Sequence, residues 1–272
     1  MKNVECILKV VMLPEQRRQE IIKLNKEHGG ISVNKLAAHF KVSNMTILRD
    51  IKILEKEKKV GVVRGGIITI ASNLSNYYGL VNLYNDKRKH NLVEKHEIAS
   101  YCAKQFVKEG SVIVIEGGST AGSLINFLTE VPKIKVFTNG LVVANEAVEK
   151  LHANSTIICA GGVLNKQYLL FLGKDVDDFL VKQYTDVAFF SCVAFDLRIG
   201  PMDSNSQDAS AKRAMLKNAD RRVLMIDKTK FHGKSLEKII DVNEITDIVT
   251  NKSADESIIA KLKEYGPELH LV

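Results

Sequence analysis

The sequence predicts a two-part α/β protein: a small three-helix module closed by a β-hairpin, then a larger domain on a mostly parallel sheet. Three observations predict it. Before residue 60, apolar residues recur at helical spacing in three segments, with cap or stop residues at their ends. The stretch VGVVRGGIITI then reads as two short strands around a glycine turn. From about residue 91, short apolar runs alternate with amphipathic segments, the pattern of strands and helices that cover a parallel sheet. The expected boundaries are 1–70 for the first domain, 71–90 for a linker and 91–272 for the second domain.

The first helix begins at Pro14, which suits a first helical position, and carries Ile21, Ile22 and Leu24 on its apolar side. Gly29 and Gly30 end it. Ile31–Ser32 is a short extended link, with Ser32 as N-cap of VNKLAAHF, whose buried stripe is Val33, Leu36, Ala37 and Phe40. Lys41–Val42–Ser43 turns the chain, and Ser43 caps a third helix, NMTILRDIKILEKEKK. Ile47, Ile51 and Leu54 face inward there, helped by Met45 and Leu48, while Asn44, Thr46, Arg49 and Lys52 face outward. Gly65–Gly66 gives the hairpin a two-residue turn with Arg64 at its tip. This is the layout of a winged helix-turn-helix. The candidate DNA-binding residues are therefore Ser43, Asn44, Thr46, Arg49, Lys52 and Arg64.

Charge points the same way. Residues 1–88 hold 16 Lys and Arg against 8 Asp and Glu, whereas the remainder holds 23 against 24, so the whole basic excess lies in the N-terminal third. A localised excess of this kind suits a polyanion such as double-stranded DNA. No run of eighteen apolar residues occurs, so no membrane-spanning helix is expected. Glu5 and Lys9 interrupt the apolar start, which reads as mature protein rather than a leader. Cys6, Cys102, Cys159 and Cys192 are too scattered for a metal site. Reduced thiols, the last three in buried apolar contexts, are expected in a cytoplasmic protein, with no cofactor and no metal.

The segment 71–90 is rich in Asn, Ser and Tyr and lacks periodicity, although Tyr77, Tyr78, Leu80, Leu83 and Tyr84 offer groups for packing on a domain face. In the second domain, strands at 112–116, 134–138, 156–160 and 223–227 end in Glu116–Gly117–Gly118–Ser119–Thr120, Thr138–Asn139, Gly161–Gly162 and Asp227. Ligands of parallel α/β sheets bind beyond such carboxyl ends. Glycines that let backbone N–H groups approach an anion, a following helix start and two hydroxyls make GGST suited to phosphate. Neither GxGxxG nor the triphosphate loop GxxxxGK[ST] is present. Lys230, Lys212 and Arg213 are candidate cations; His232 is a lone loop histidine with no catalytic partner nearby.

With these motifs in view, the chain resembles the DeoR family of transcription regulators from about residue 14 to 255. VSNMTILRDIKILEKE is similar to the family's VSxxTIRRDLxxLE, with Leu48 at the first basic position and Arg49 and Asp50 kept. Arg64–Gly65–Gly66 resembles its wing, and Glu116–Gly117–Gly118–Ser119–Thr120 stands at its Asp-x-Gly-Thr-Thr. Thr138–Asn139–Gly140, Gly161–Gly162, AFDLRIG, SQDASAKRAM and DKTKFHG resemble later motifs. Glu replaces Asp at 116, Val163 stands where an Arg is common, and Leu172–Gly173–Lys174 replaces Gly-Pro. The resemblance implies a sensor domain built like ribose-5-phosphate isomerase and glucosamine-6-phosphate deaminase, with a phosphorylated sugar as effector. It further implies that Gly118, Ser119 and Thr120 hold phosphate, and that Glu116, Asn139, Gly162, Asp196, Lys212 and Lys230 lie around the sugar.

The reading is thus a non-enzymatic DNA-binding regulator, most often a repressor in such a family, acting as a homo-oligomer, dimer or tetramer. One alternative is a sugar-phosphate isomerase or deaminase with a DNA-binding appendage. That chemistry needs a positioned acid/base pair, and although Asp196, Asp203 and Asp227 are available no convergent pair can be read. Another is a regulator that answers to a protein partner in place of a small molecule.

Overall fold

A computed structural model describes residues 13–28, 30–57, 59–63, 66–68 and 82–272. The chain divides into two compact units, Met1–Tyr78 and Gly79–Val272.

In the first unit, α1 (Pro14–His28), α2 (Val33–Phe40) and α3 (Asn44–Lys56) pack around Ile21, Leu36, Ile47, Ile51 and Leu54. The expected caps are present. Ser32 Oγ accepts from the backbone N–H of Lys35, and Ser43 Oγ from that of Thr46. The expected extended link is a strand, β1 (Gly30–Ser32), which pairs antiparallel with β3 (Gly66–Ile68); β3 also pairs with β2 (Gly61–Val63). Three helices and a three-stranded sheet make a winged helix-turn-helix.

Two expectations change here. Met45 and Leu48 do not help the core. They are 61% and 45% exposed, because Ile47, Ile51 and Leu54 already fill the one face that α3 turns inward. Gly66 is not a turn residue: Val63 pairs with Gly66, so it opens β3. A Cβ there would lie 2.6 Å from the Ile31 carbonyl oxygen, so the close approach of β1 requires glycine. Arg64 and Gly65 lie outside the described residues, as do Cys6, the apolar start through residue 12, Tyr77, Tyr78 and Leu80.

The second unit begins inside the segment read as a linker. Residues 82–89 form α4 (Asn82–Lys89), with Tyr84 buried and Arg88 ion-paired to Glu146. The chain continues through α5 (Leu92–Phe106), β4 (Val112–Ile115), α6 (Ser119–Gly122), β5 (Lys135–Thr138), α7 (Leu141–Lys150) and β6 (Thr156–Cys159). The hairpin β7 (Val163–Asn165) and β8 (Leu170–Leu172) leads to α8 (Lys174–Leu180) and β9 (Thr185–Phe190). Then come β10 (Ala194–Asp196), β11 (Gly200–Asp203), α9 (Ser206–Leu216), β12 (Ala219–Met225) and β13 (Glu237–Lys238). Last are β14 (Asp247–Thr250), α10 (Glu256–Leu262) and β15 (Glu268–Leu271).

Seven strands form one parallel sheet in the order β15-β14-β12-β9-β4-β5-β6. Side chains alternate across it. Ile113, Ile115, Val187, Phe189, Val223 and Met225 pack with α5 and α7, while Val114, Ala188, Phe190 and Leu224 pack with α8, α9 and α10. Both faces are covered, which is why these strands are apolar throughout. A small antiparallel sheet, β10-β11-β13, lies outside this layer. Cys102 and Cys192 are buried, but Cys159 is exposed, because β6 is an edge strand with only one protected neighbour. No helix among the described residues is long and apolar enough to cross a membrane.

Candidate functional site

In the first unit the surface of interest is the open side of α3. Asn44, Met45, Leu48, Arg49 and Lys52 are exposed and Thr46 is half-buried. Ser43 Oγ and Thr46 Oγ1 are 3.0 Å apart at the cap, and Asn44 Nδ2 donates to Asn34 Oδ1 at 2.9 Å, which ties the start of α3 to α2. Asp50, on the opposite side, is buried against Arg17 and Arg18 of α1. Arg49 and Lys52 have no ion-pair partner among the described residues, so both ammonium and guanidinium charges are available to a phosphate backbone.

In the second unit strand order builds the site. The chain runs from β4 outward to β5 and β6, then returns to place β9 on the other side of β4 before continuing to β12. The crevice between β4 and β9 is therefore the topological switch point, where backbone diverges and a ligand fits beyond the strand ends. A cavity of about 480 Å³ opens there. Its walls come from Glu116–Thr120 after β4, Ser191–Val193 after β9, and Asp227, Thr229 and Lys230 after β12. Lys95 of α5, Tyr84 and Lys87 of α4, Tyr168, Asp203, Asp208 and Lys212 also line it.

Within this cavity two regions differ in charge. On one side Lys95 Nζ donates to the Lys87 carbonyl and to Ser119 Oγ, the latter at 3.3 Å, with Lys230 nearby in the wall. Burial, opposed by Asp227 and reinforced by Lys230 and Lys87, lowers the Lys95 ammonium to about 8. On the other side Lys212 is buried among three carboxylates. It is paired to Asp203, 3.5 Å from Glu116 Oε1 and 3.8 Å from Asp208 Oδ2. Burial alone would lower Lys212, yet Glu116, Asp208 and Asp203 together raise it, so it stays charged. Asp208 is raised to about 6, by burial first and then by Asp203 and Glu116 against the pull of Lys212. Two buried oxygens in these walls, Asp208 Oδ1 and Asp227 Oδ2, have no hydrogen-bond partner among the described residues. The site thus presents ammonium groups beside a hydroxyl turn, with two unpaired carboxylate oxygens buried in its walls.

Of the nine residues expected around an effector, Glu116, Gly118, Ser119, Thr120, Lys212 and Lys230 line the cavity. Glu116 lies beneath the turn. Its Oε2 accepts from Ser191 Oγ at 3.0 Å, and a Cβ on Gly118 would sit 2.7 Å from both of its oxygens, so Gly118 must be glycine to accommodate it. The helix after the turn has only four residues before a 3-10 segment, Ser123–Phe127, so its dipole contributes less than the sequence suggests. Asn139, Gly162 and Asp196 do not line the cavity. Asn139 is buried and spends its amide on the Gly117 N–H, at 3.1 Å, and the Phe171 carbonyl, at 3.2 Å. Gly162 has φ +133 and packs toward Val176. Asp196 ends β10 in the satellite sheet and accepts from the Arg198 and Ile199 N–H groups.

Lys95 and Asp208 escaped the sequence reading. The signal was there: Lys95 precedes Ile98, Ala99 and Cys102 on one helical stripe, and Asp208 precedes Lys212 by one turn on a stripe that is otherwise apolar. Charged residues on a buried stripe need partners or a ligand. Elsewhere Asp247, Glu268 and His270 lie close enough to hold a cation. However, the Asp247 oxygens already accept from Arg221 at 2.7 and 3.0 Å, from Thr246 at 2.6 Å and from His270 at 3.0 Å, so the group is an ion-pair network of the sheet edge.

Comparison with known proteins agrees with both halves. The family model described as DeoR-like helix-turn-helix domain matches residues 17–73, and that described as DeoR C terminal sensor domain matches residues 90–252. The chain is 29% identical to the uncharacterized HTH-type transcriptional regulator YulB of Bacillus subtilis over 93% of this chain and 95% of that one. It is 25% identical to the glycerol-3-phosphate regulon repressor of Escherichia coli over 96% of this chain and 100% of that one. Among solved structures, ribose 5-phosphate isomerase A of Methanocaldococcus jannaschii aligns with a TM-score of 0.38 and 18% identity, over 52% of this chain and 55% of the enzyme.

Proposed function

This chain belongs to the DeoR family of DNA-binding transcriptional regulators, and on that premise we propose that it is a repressor released or recruited by a phosphorylated sugar held at the β4–β9 switch point. Its full-length relatives are regulators, which sets aside the isomerase or deaminase alternative. The residues up to about 70 hold the operator, with Arg49, Lys52 and Arg64 on phosphates or base edges, and the residues from about 91 onward sense the effector. The regulator works in the cytoplasm as a homo-oligomer, since a two-fold operator is matched by a two-fold protein.

One observation carries the effector class: Lys95, in contact with Ser119, shares one cavity with Lys230 and Thr120, and Asp208 and Asp227 stand in its walls. Ammonium and hydroxyl groups suit a phosphate, and carboxylates in the wall suit the hydroxyls of a polyol. A relative is the repressor of the glycerol-3-phosphate regulon, a regulon named for a compound of this chemistry. A cavity of about 480 Å³ has room for such a molecule.

Thermal shift of the full chain against phosphorylated sugars and polyols tests it, with inorganic phosphate and the unphosphorylated sugars as controls. A binder raises the melting temperature, and Lys230→Ala together with Lys95→Gln removes the rise. No shift with any phosphorylated compound would count against an effector of this class.

A further inference from the structure

The open side of α3 is not uniformly polar. Met45 and Leu48 are large, apolar and exposed, yet they flank Arg49 and Lys52. They are not displaced core, because Ile47, Ile51 and Leu54 close the core of this unit without them. At 100° per residue, Met45, Arg49 and Lys52 fall in one stripe opposite that core, with Leu48 beside it one turn from Met45. Exposure of both side chains leaves apolar surface that no described residue of the unit covers.

In the major groove the thymine C5 methyl is the apolar group presented by base edges. A leucine cannot donate to guanine O6 and N7 as an arginine would; it can only cover a methyl or exclude water. We propose that Met45 and Leu48 read thymine methyl groups, so that each operator half-site carries A·T pairs beneath the first two turns of α3. Hydrogen-bonded base contact then falls to Arg49, and Lys52 holds phosphate. This rests on α3 being the helix that enters the groove.

The probe is the tightest duplex that the full chain recovers from a random-sequence pool, with each thymine replaced in turn by deoxyuridine, which lacks only the methyl. At one or more thymines in each half-site the replacement should weaken binding about four-fold, the worth of one buried methyl group. Leu48→Ala or Met45→Ala should bind more weakly and no longer distinguish thymine from uracil at that position. These variants should keep the salt dependence of wild type, whereas Lys52→Ala lowers its slope by about one.

Uracil tolerated at every position overturns the proposal. So does a Leu48→Ala variant that weakens binding equally on both duplexes, or that changes the oligomeric state instead of the base preference. If Arg49→Ala and Lys52→Ala also leave affinity unchanged, the groove-entering role of α3 fails with it. If they weaken binding while uracil is tolerated, only the methyl reading fails.

Discussion

Arg17 of α1 donates from Nε to Asp50 Oδ2 across 2.6 Å, and both side chains are buried. Asp50 is adjacent in sequence to Arg49, so this pair fixes the rotation of α3 and keeps Arg49 pointing outward. Arg18 adds a longer contact, 3.4 Å, from a partly exposed position. Asp50→Asn keeps the shape but strands the Arg17 charge. Breaking one half of a buried pair costs about 3–5 kcal/mol. The expected result is earlier loss of helical signal from the first unit on heating, with weaker operator binding. Arg18→Ala should cost far less. Equal stability of Asp50→Asn and wild type in denaturant titrations would contradict the anchoring role.

The cavity floor makes opposite predictions for two neighbours. Lys212→Met leaves Glu116, Asp203 and Asp208 buried without a counter-charge, so it should destabilise the second unit by about 3–5 kcal/mol. Asp208→Asn should stabilise it. The Asp208 carboxyl is raised from its ordinary 3.8 to about 6, so the folded form holds its proton longer than the unfolded chain does. Stability from this group is therefore present at low pH, falls as pH rises from about 4 to 6, and stays reduced above that. The advantage of Asp208→Asn should reach no more than about 3 kcal/mol near pH 8 and vanish near pH 4. Denaturant melts at several pH values would show it; a constant difference across that range would not fit.

The elements and the strand-end motifs of this chain are legible because they are local. Caps at Ser32 and Ser43, the stripe of Ile47, Ile51 and Leu54, and the apolar runs before Glu116 and Asp227 need only neighbours in sequence. Met45 and Leu48 mislead because an apolar side chain left exposed on the open face has the same hydropathy as one bound for the core. The cavity is half legible. Glu116 follows β4 at the switch and Lys230 follows β12, the strand beyond β9, but the return of β9 to the side of β4 is a long-range event. That return decides that Lys95 and Asp208 line the site while Asn139 and Asp196, also at strand ends, do not.

The ammonium of Lys95 should make effector binding sensitive to alkali. In the free protein it titrates at about 8, lowered by burial and by Lys230 and Lys87. A phosphate dianion beside it favours the charged form and raises it again, so binding above pH 8 must take up a proton. Affinity for a phosphorylated ligand should be flat between pH 7 and 8, then weaken by up to about ten-fold per unit above it. Lys95→Arg keeps its charge throughout and should bind with little change to pH 10. Calorimetry across pH 7 to 10 checks this, and an unchanged slope in Lys95→Arg would remove Lys95 from the phosphate site.

Asn139 is predicted to act on the effector without touching it. Its side chain accepts from the Gly117 N–H and donates to the Phe171 carbonyl, clamping the turn that carries Gly118, Ser119 and Thr120 against β8. Gly117 and Gly140 are in backbone contact there, where a Cβ on either would lie 2.6 Å from the other's Cα, so the turn has little slack. Asn139→Ala leaves the buried Gly117 N–H and the half-buried Phe171 carbonyl without this partner, a loss of about 1–3 kcal/mol for a buried group left unsatisfied. Asn139→Asp keeps the acceptor for Gly117 but loses the donor to Phe171. If the clamp positions the turn, both variants weaken phosphorylated ligands while the pH dependence set by Lys95 is unchanged, and Asn139→Asp retains more affinity than Asn139→Ala. A direct contact between Asn139 and the ligand would instead make the loss depend on which sugar hydroxyl is present, and a deoxy-sugar series distinguishes the two.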